Sequence, residues 1–186
     1  MTRDLPEGFR YQEDFIAGGE EASLAAAIAG VEFANFEMRG VVARRRVAFF
    51  GRSYDSGPVA TPPMPEFLMP LRARVAAWSH VEADAFAMAL INQYAPGAPI
   101  GWHRDAPQYA IVAGVSLLSP CTMKLRPYVA PKAHASIQGR RVATHAITLQ
   151  PRSVYVMAGE ARSAYEHHIP AAAALRYSIT FRTLRR

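Results

Sequence analysis

Cysteine is almost absent from this chain: Cys121 stands alone among 186 residues. That excludes an internal disulfide framework and any cysteine-rich zinc cage. No apolar run is long enough to cross a membrane, and the start, Met1-Thr-Arg-Asp-Leu-Pro6, lacks the hydrophobic segment of a secretory signal. A cytoplasmic protein with no membrane partner is therefore expected. Internal repeats and low-complexity tracts are missing too. Lysine is scarce, so the formal net charge of +6 rests almost wholly on arginine. Such an excess favours polyanionic partners such as nucleic acid, although coding bias in an alanine-rich chain produces the same excess. A hydrophobic fraction of 51% in a chain of this length suits one domain with a real core, residues 1–186, and a monomer is expected.

Residues 1–19 read as an extended lead-in anchored by Phe9, Tyr11 and Phe15. Glu20 to Ala29 combines strong helix formers with acids in the first turn, and Gly30 stops the helix. Residues 31–38 and 41–50 read as two strands around Arg39-Gly40. Arg44, Arg45 and Arg46 cannot all face one way on a strand. They are either a charge-protected edge or phosphate contacts. Gly51 to Pro65 is a long, proline-rich loop of the kind that serves as a lid or binding loop, where Tyr54 either anchors the loop or stacks on a substrate. Phe67, Leu71, Val75 and Trp78 recur at helical spacing, with Pro70 near the helix start.

From residue 85 the pattern turns to short strands: 86–94, 111–118, 121–126, 145–149, 154–157 and 176–182, separated by turn residues. The fold class expected is mainly β with N-terminal helices, an α+β arrangement on a jelly roll. Residues 1–84 would carry the helices, two strands and a substrate-recognition loop, and 85–186 the core.

Trp102-His103-Arg104-Asp105 organises the rest. On a strand, His-x-Asp places both side chains on one face, where they can grip one ion. A third ligand must come from elsewhere, and the late pair His167-His168 offers one. Two histidines and a carboxylate form the facial triad that leaves open positions on Fe(II). In the last strand Arg176, Ser178, Thr180 and Arg182 alternate with Tyr177, Ile179 and Phe181, giving one cationic face and one apolar face. Arginine forks suit carboxylates, so a dicarboxylate ligand would explain more than one of them.

Several segments together resemble the AlkB family of Fe(II)- and 2-oxoglutarate-dependent dioxygenases. They are Asn92-Gln-Tyr94-Ala-Pro-Gly97, Ile100-Gly-Trp-His103-Arg-Asp105, Val115-Ser116-Leu117, Gly159-Glu-Ala-Arg162, His167-His-Ile-Pro170 and Arg176-Tyr-Ser-Ile-Thr-Phe-Arg182. The resemblance covers about residues 86–184 and implies a double-stranded β-helix core. It implies His103, Asp105 and His167 as ligands to Fe(II), with His167 preferred to His168. It implies Arg176 and Tyr94 on the distal carboxylate of 2-oxoglutarate, Asn92 and Arg182 near its chelating end, and Ser178 in support. Arg162 would steady the segment leading to the distal histidine, and Tyr54 and Trp102 would touch substrate. With O2 as co-substrate, the reaction implied is oxidative demethylation of alkylated DNA or RNA bases, releasing succinate, CO2 and formaldehyde. Two alternatives are the same chemistry on a protein, lipid or small molecule, and a non-catalytic basic nucleic-acid-binding module. One departure stands out. Family members acting on alkylated bases often carry a second acid two positions after the ligand aspartate, where this chain has Pro107, so Gln108 or Tyr109 would have to take over.

Overall fold

The computed structural model describes residues 5–38, 41–52, 61–129 and 143–185. Among them two antiparallel sheets face each other. The larger has seven strands in the order β1 (Phe9–Gln12), β9 (Val154–Met157), β6 (Tyr109–Leu117), β11 (Arg176–Leu184), β4 (Phe86–Tyr94), β3 (Val41–Gly51) and β2 (Ala34–Met38). The smaller has four: β5 (Ile100–His103), β10 (Tyr165–Ile169), β7 (Cys121–Pro127) and β8 (His145–Leu149). The large sheet draws strands from both sides of residue 85, because β3 pairs with β4 from Arg46 opposite Gln93 to Gly51 opposite Met88.

Side-chain alternation sorts the layers. On β11, Tyr177, Ile179 and Phe181 enter a cluster with Leu24 and Ile28 of helix α1 (Gly18–Ala29) and Leu71 and Val75 of helix α2 (Met69–Ser79). The helices therefore cover the outer face of the large sheet. Each such fully buried side chain contributes about 1.5–3 kcal/mol. The other face looks toward the small sheet, where Met123 and Leu125 of β7 and Ile169 of β10 pack against Met88, Leu90 and Val112. Thr122, Lys124 and Arg126 alternate to the outer side of β7. Pro70 lies in the first turn of α2, and His80 closes that helix in the left-handed conformation with φ 58°. Gly30 caps α1.

Four local expectations change. The extended lead-in contains β1, which pairs with β9 and forms an edge of the large sheet. The arginine run is not on an edge, since β2 lies outside β3. Helices are not confined to the N-terminal end, because a short helix α3 (Gly159–Ser163) precedes β10. His-x-Asp does not lie wholly on a strand: β5 ends at His103, and Asp105 follows in irregular backbone.

Gly114 of β6 lies opposite Tyr155 of β9, whose buried ring crosses over it; a Cβ at 114 would stand 2.4 Å from the ring's Cε1. Phe9 stacks on that ring at 6.0 Å, so it has little freedom to retreat. Gly114→Ala is expected to cost about 1–3 kcal/mol of stability through overpacking, measured by urea unfolding.

Candidate active site

Three elements deliver the polar wall of a cavity of about 590 Å³ between the sheets. The inward face of β11 contributes Ser178, Thr180 and Arg182; β4 contributes Asn92 and Tyr94; the β5–β10 pair contributes His103 and His167. Met88, Leu90, Val112, Met123 and Ile169 are among the residues of its apolar part.

His103 and His167 are direct cross-strand partners, and their ring centroids lie 4.1 Å apart. The alternation of β10 turns His167 inward to 8% exposure, while His168 faces outward with Nδ1 2.7 Å from the carbonyl of Ile100. His103 Nδ1 is 2.9 Å from the carbonyl of Gly101. A carbonyl only accepts, so Nδ1 carries the proton and Nε2 keeps its lone pair, the arrangement that fixes a metal-ligating imidazole. Burial pushes the His103 imidazole down and, together with the neighbouring His103, pushes His167 down to about 3. Both rings are thus neutral near pH 7.

Asp105 is placed by two arginines rather than by strand geometry. Arg162 of α3 donates to the backbone carbonyls of Asp105 at 3.0 Å and of Ala106. Arg182 donates through Nη2 to Oδ1 at 3.1 Å, with side-chain exposures of 8% and 11%. Burial alone would raise the Asp105 carboxyl, but Arg182, then His167, His103 and Arg162, outweigh it and hold the group well below the usual carboxylate range. Arg162 therefore ties α3, which leads into β10 and His167, to the segment carrying Asp105.

Arg176 is 1% exposed. Its Nε donates to Ser116 Oγ at 3.1 Å, and its guanidinium lies 5.1 Å from the centroid of the Tyr94 ring. Neither Nη1 nor Nη2 has a hydrogen-bond partner among the described residues. Leaving charged donors buried and unpaired is costly, which makes this a ready receptor for an anion. Burial raises the Tyr94 hydroxyl, so it stays protonated and able to donate.

Not every expected contact falls here. Trp102 does not line the cavity; it packs against His168 at 5.2 Å on the outer side of the small sheet, with Arg126 4.1 Å from its ring centroid. Tyr54 lies outside the described residues. Gln108 and Tyr109, the two residues named to stand in for the missing acid, both line the cavity, and so do Arg45 and Tyr155, which the sequence did not point to. Strand parity groups Arg45 with Val47 and Phe49, and Arg44 and Arg46 with Ala48 and Phe50; both sets are apolar, so only the packing of β3 decides which face meets the cavity.

Among the described residues no three histidine, cysteine or carboxylate side chains yet stand in finished metal-binding geometry. The donor set nevertheless fits a ferrous ion in kind, with two neutral imidazoles and an ionised carboxylate near one another. The orphaned Arg176 nitrogens fit the far carboxylate of a dianionic co-substrate. Arg182→Met is expected to destabilise the protein by about 3–5 kcal/mol by stranding the buried Asp105 charge. Adding Asp105→Asn should restore part of that loss, and a urea-unfolding double-mutant cycle reads both.

A family model describing the 2OG-Fe(II) oxygenase superfamily matches residues 38–182. The chain is 27% identical over 175 residues to the alkylated DNA repair protein ALKBH8 homolog of Arabidopsis thaliana, covering 84% of this chain and 49% of that protein. It thus spans about half the length of the curated relative it matches. Among solved structures it is similar to one described as the structure of OsALKBH1, with TM-score 0.69, 14% identity and coverage of 96% and 99% of the two chains. It is also similar to a Pseudomonas putida prolyl-4-hydroxylase, with TM-score 0.64, 16% identity and coverage of 96% and 93%. These structural likenesses show the double-stranded β-helix fold. With most of its length matched, the chain belongs to the 2OG-Fe(II) oxygenase superfamily, whose members take Fe(II) as cofactor and 2-oxoglutarate as co-substrate.

Proposed function

We propose that this dioxygenase removes alkyl groups oxidatively from nucleic-acid bases, with His103, Asp105 and His167 as its iron ligands. The observation that carries the site is the buried Arg176 fork, whose two terminal nitrogens have no partner among the described residues. Arg176 and the protonated Tyr94 hydroxyl hold the distal carboxylate of 2-oxoglutarate. Asn92 and Ser178 line the wall toward the chelating end. Arg182 acts there by keeping Asp105 ionised and in place. When bound, iron and 2-oxoglutarate supply the oxidant that hydroxylates a C–H bond with O2, releasing succinate and CO2. The apolar walls keep water away from that chemistry. A hydroxylated N-methyl group falls apart to formaldehyde and the free amine.

For substrate, three features support a base in nucleic acid: the name of the Arabidopsis relative, the net charge of +6, and a cavity large enough for a keto diacid beside an extruded base. Asp105 is the sole carboxylate among the described cavity-lining residues. Tyr109 donates its hydroxyl to Met88 Sδ at 2.9 Å, whereas Gln108 Oε1 is buried without a hydrogen-bond partner among the described residues. Gln108 thus provides the acceptor for a base amino group where Pro107 cannot. The lack of a second acid also favours a second reading, the same chemistry on a substrate other than an alkylated base.

The test is mass spectrometry of oligonucleotides bearing 1-methyladenine or 3-methylcytosine after incubation with protein, Fe(II) and 2-oxoglutarate, with methylated peptides alongside. Loss of 14 mass units per methyl group, roughly the mass of one CH2, is expected for the oligonucleotides only. Demethylation of peptides alone would select the second reading. Oligonucleotide binding should weaken steeply with salt, as phosphate contacts require. His103→Ala and Asp105→Ala should abolish substrate-dependent succinate formation, and retained turnover in either would remove the ligand assignment. Arg176→Ala should raise the 2-oxoglutarate requirement about tenfold or more, the scale of a lost charged hydrogen bond.

A further inference from the structure

Arg45 has no role in the site as described so far, yet it is only 9% exposed and lines the cavity. Its neighbours Arg44 and Arg46 are exposed, and Arg46 reaches the carbonyl of Phe33 at 2.8 Å. Within the run, only the middle side chain is turned to the chemistry. Arg45 precedes by two residues Val47, the direct cross-strand partner of Asn92, so it approaches Asn92 along the diagonal. A long side chain spans that separation. Its Nε donates to Asn92 Oδ1 at 3.1 Å.

That contact settles which way the amide points. The two ends of a carboxamide look alike in shape, but a guanidinium has no acceptor. Its partner must therefore be the oxygen, and the amide nitrogen is left on the other branch of the planar group. Asn92 is 5% exposed and also lines the cavity. An amide turned the other way would offer its oxygen to an anionic co-substrate and repel it.

We propose that Arg45 is a positioning residue: by holding Asn92 Oδ1, it presents the Asn92 NH2 group as a hydrogen-bond donor to 2-oxoglutarate. This rests on the reading of Asn92 as a co-substrate contact. Arg45 acts through Asn92, so removing either side chain removes the same oriented donor.

A double-mutant cycle on binding tests this without turnover. 2-Oxoglutarate is titrated calorimetrically into the full chain loaded with Zn(II) in place of iron. Arg45→Ala and Asn92→Ala are each expected to raise Kd about tenfold. The double variant should be within about twofold of the weaker single variant, because the two losses are one loss. Unchanged Kd in Arg45→Ala beside a loss in Asn92→Ala would overturn the proposal alone, as would losses that multiply in the double variant. Unchanged Kd in Asn92→Ala would sink the co-substrate reading of Asn92, and the proposal with it. If Arg45→Ala does not fold, Arg45→Gln replaces it in the cycle, and the same outcomes support or overturn the proposal.

Discussion

A buried carboxylate kept ionised by a buried guanidinium is the constraint on which this site depends. Asp105 follows the end of β5, so no strand ladder dictates its place. Burial would drive it toward the neutral acid, which is a poor ligand for a hard cation. Arg182 on its carboxylate and Arg162 on the carbonyls around it supply position and charge together. The two arginines come from β11 and α3, so the surroundings of Asp105 are assembled from three distant pieces of chain.

Strand β11 connects this constraint to the stability of the whole molecule. It pairs with β4 on one side and β6 on the other, and its residues alternate between the helix-covered core and the cavity. A one-residue slip in its register would bury the cations in the apolar layer and turn Phe181 toward the cavity. The same hydrophobic packing that holds the sheet therefore also sets the direction of Arg182, Thr180 and Ser178. Arg176, at the other end of the strand, is a separate station: it faces Ser116 and Tyr94, while Arg182 serves Asp105. Two arginines that share a face are thus divided between two tasks by the length of strand between them.

The cavity's polarity is lopsided. Arg45, Arg104 and Arg182 face it against Asp105 alone among the described residues, which suits a dianionic co-substrate and an electron-rich partner. Gln108 adds a neutral acceptor. The outer face of the small sheet carries a different kind of order, in which Arg126 lies over the Trp102 ring, His168 tilts against that ring and Arg126 pairs with Glu166. That cluster explains an aromatic beside the first histidine without invoking substrate.

Much of this was legible in the residues themselves. The alternation of β11 and the apolar stripe of α2 follow from side-chain periodicity, because packing one face of an element leaves that period in the residues, while the strands 145–149 and 154–157 are marked by the turn residues around them. The motifs also nominated His103, Asp105 and His167, of which the fold pairs the two histidines across β5 and β10. β1 and β10 escaped notice because each is defined by distant partners: β1 is an edge strand paired with β9, and β10 lies between β5 and β7. Trp102 could not be assigned to a face until β5 was seen to pair with β10. Sequence by itself determined which side chains share a face of each strand, since that is local backbone geometry. Tertiary structure alone decided which face meets which: it put Arg182 on Asp105, Arg45 on Asn92, and left the Arg176 fork open, because such contacts depend on register between segments tens of residues apart.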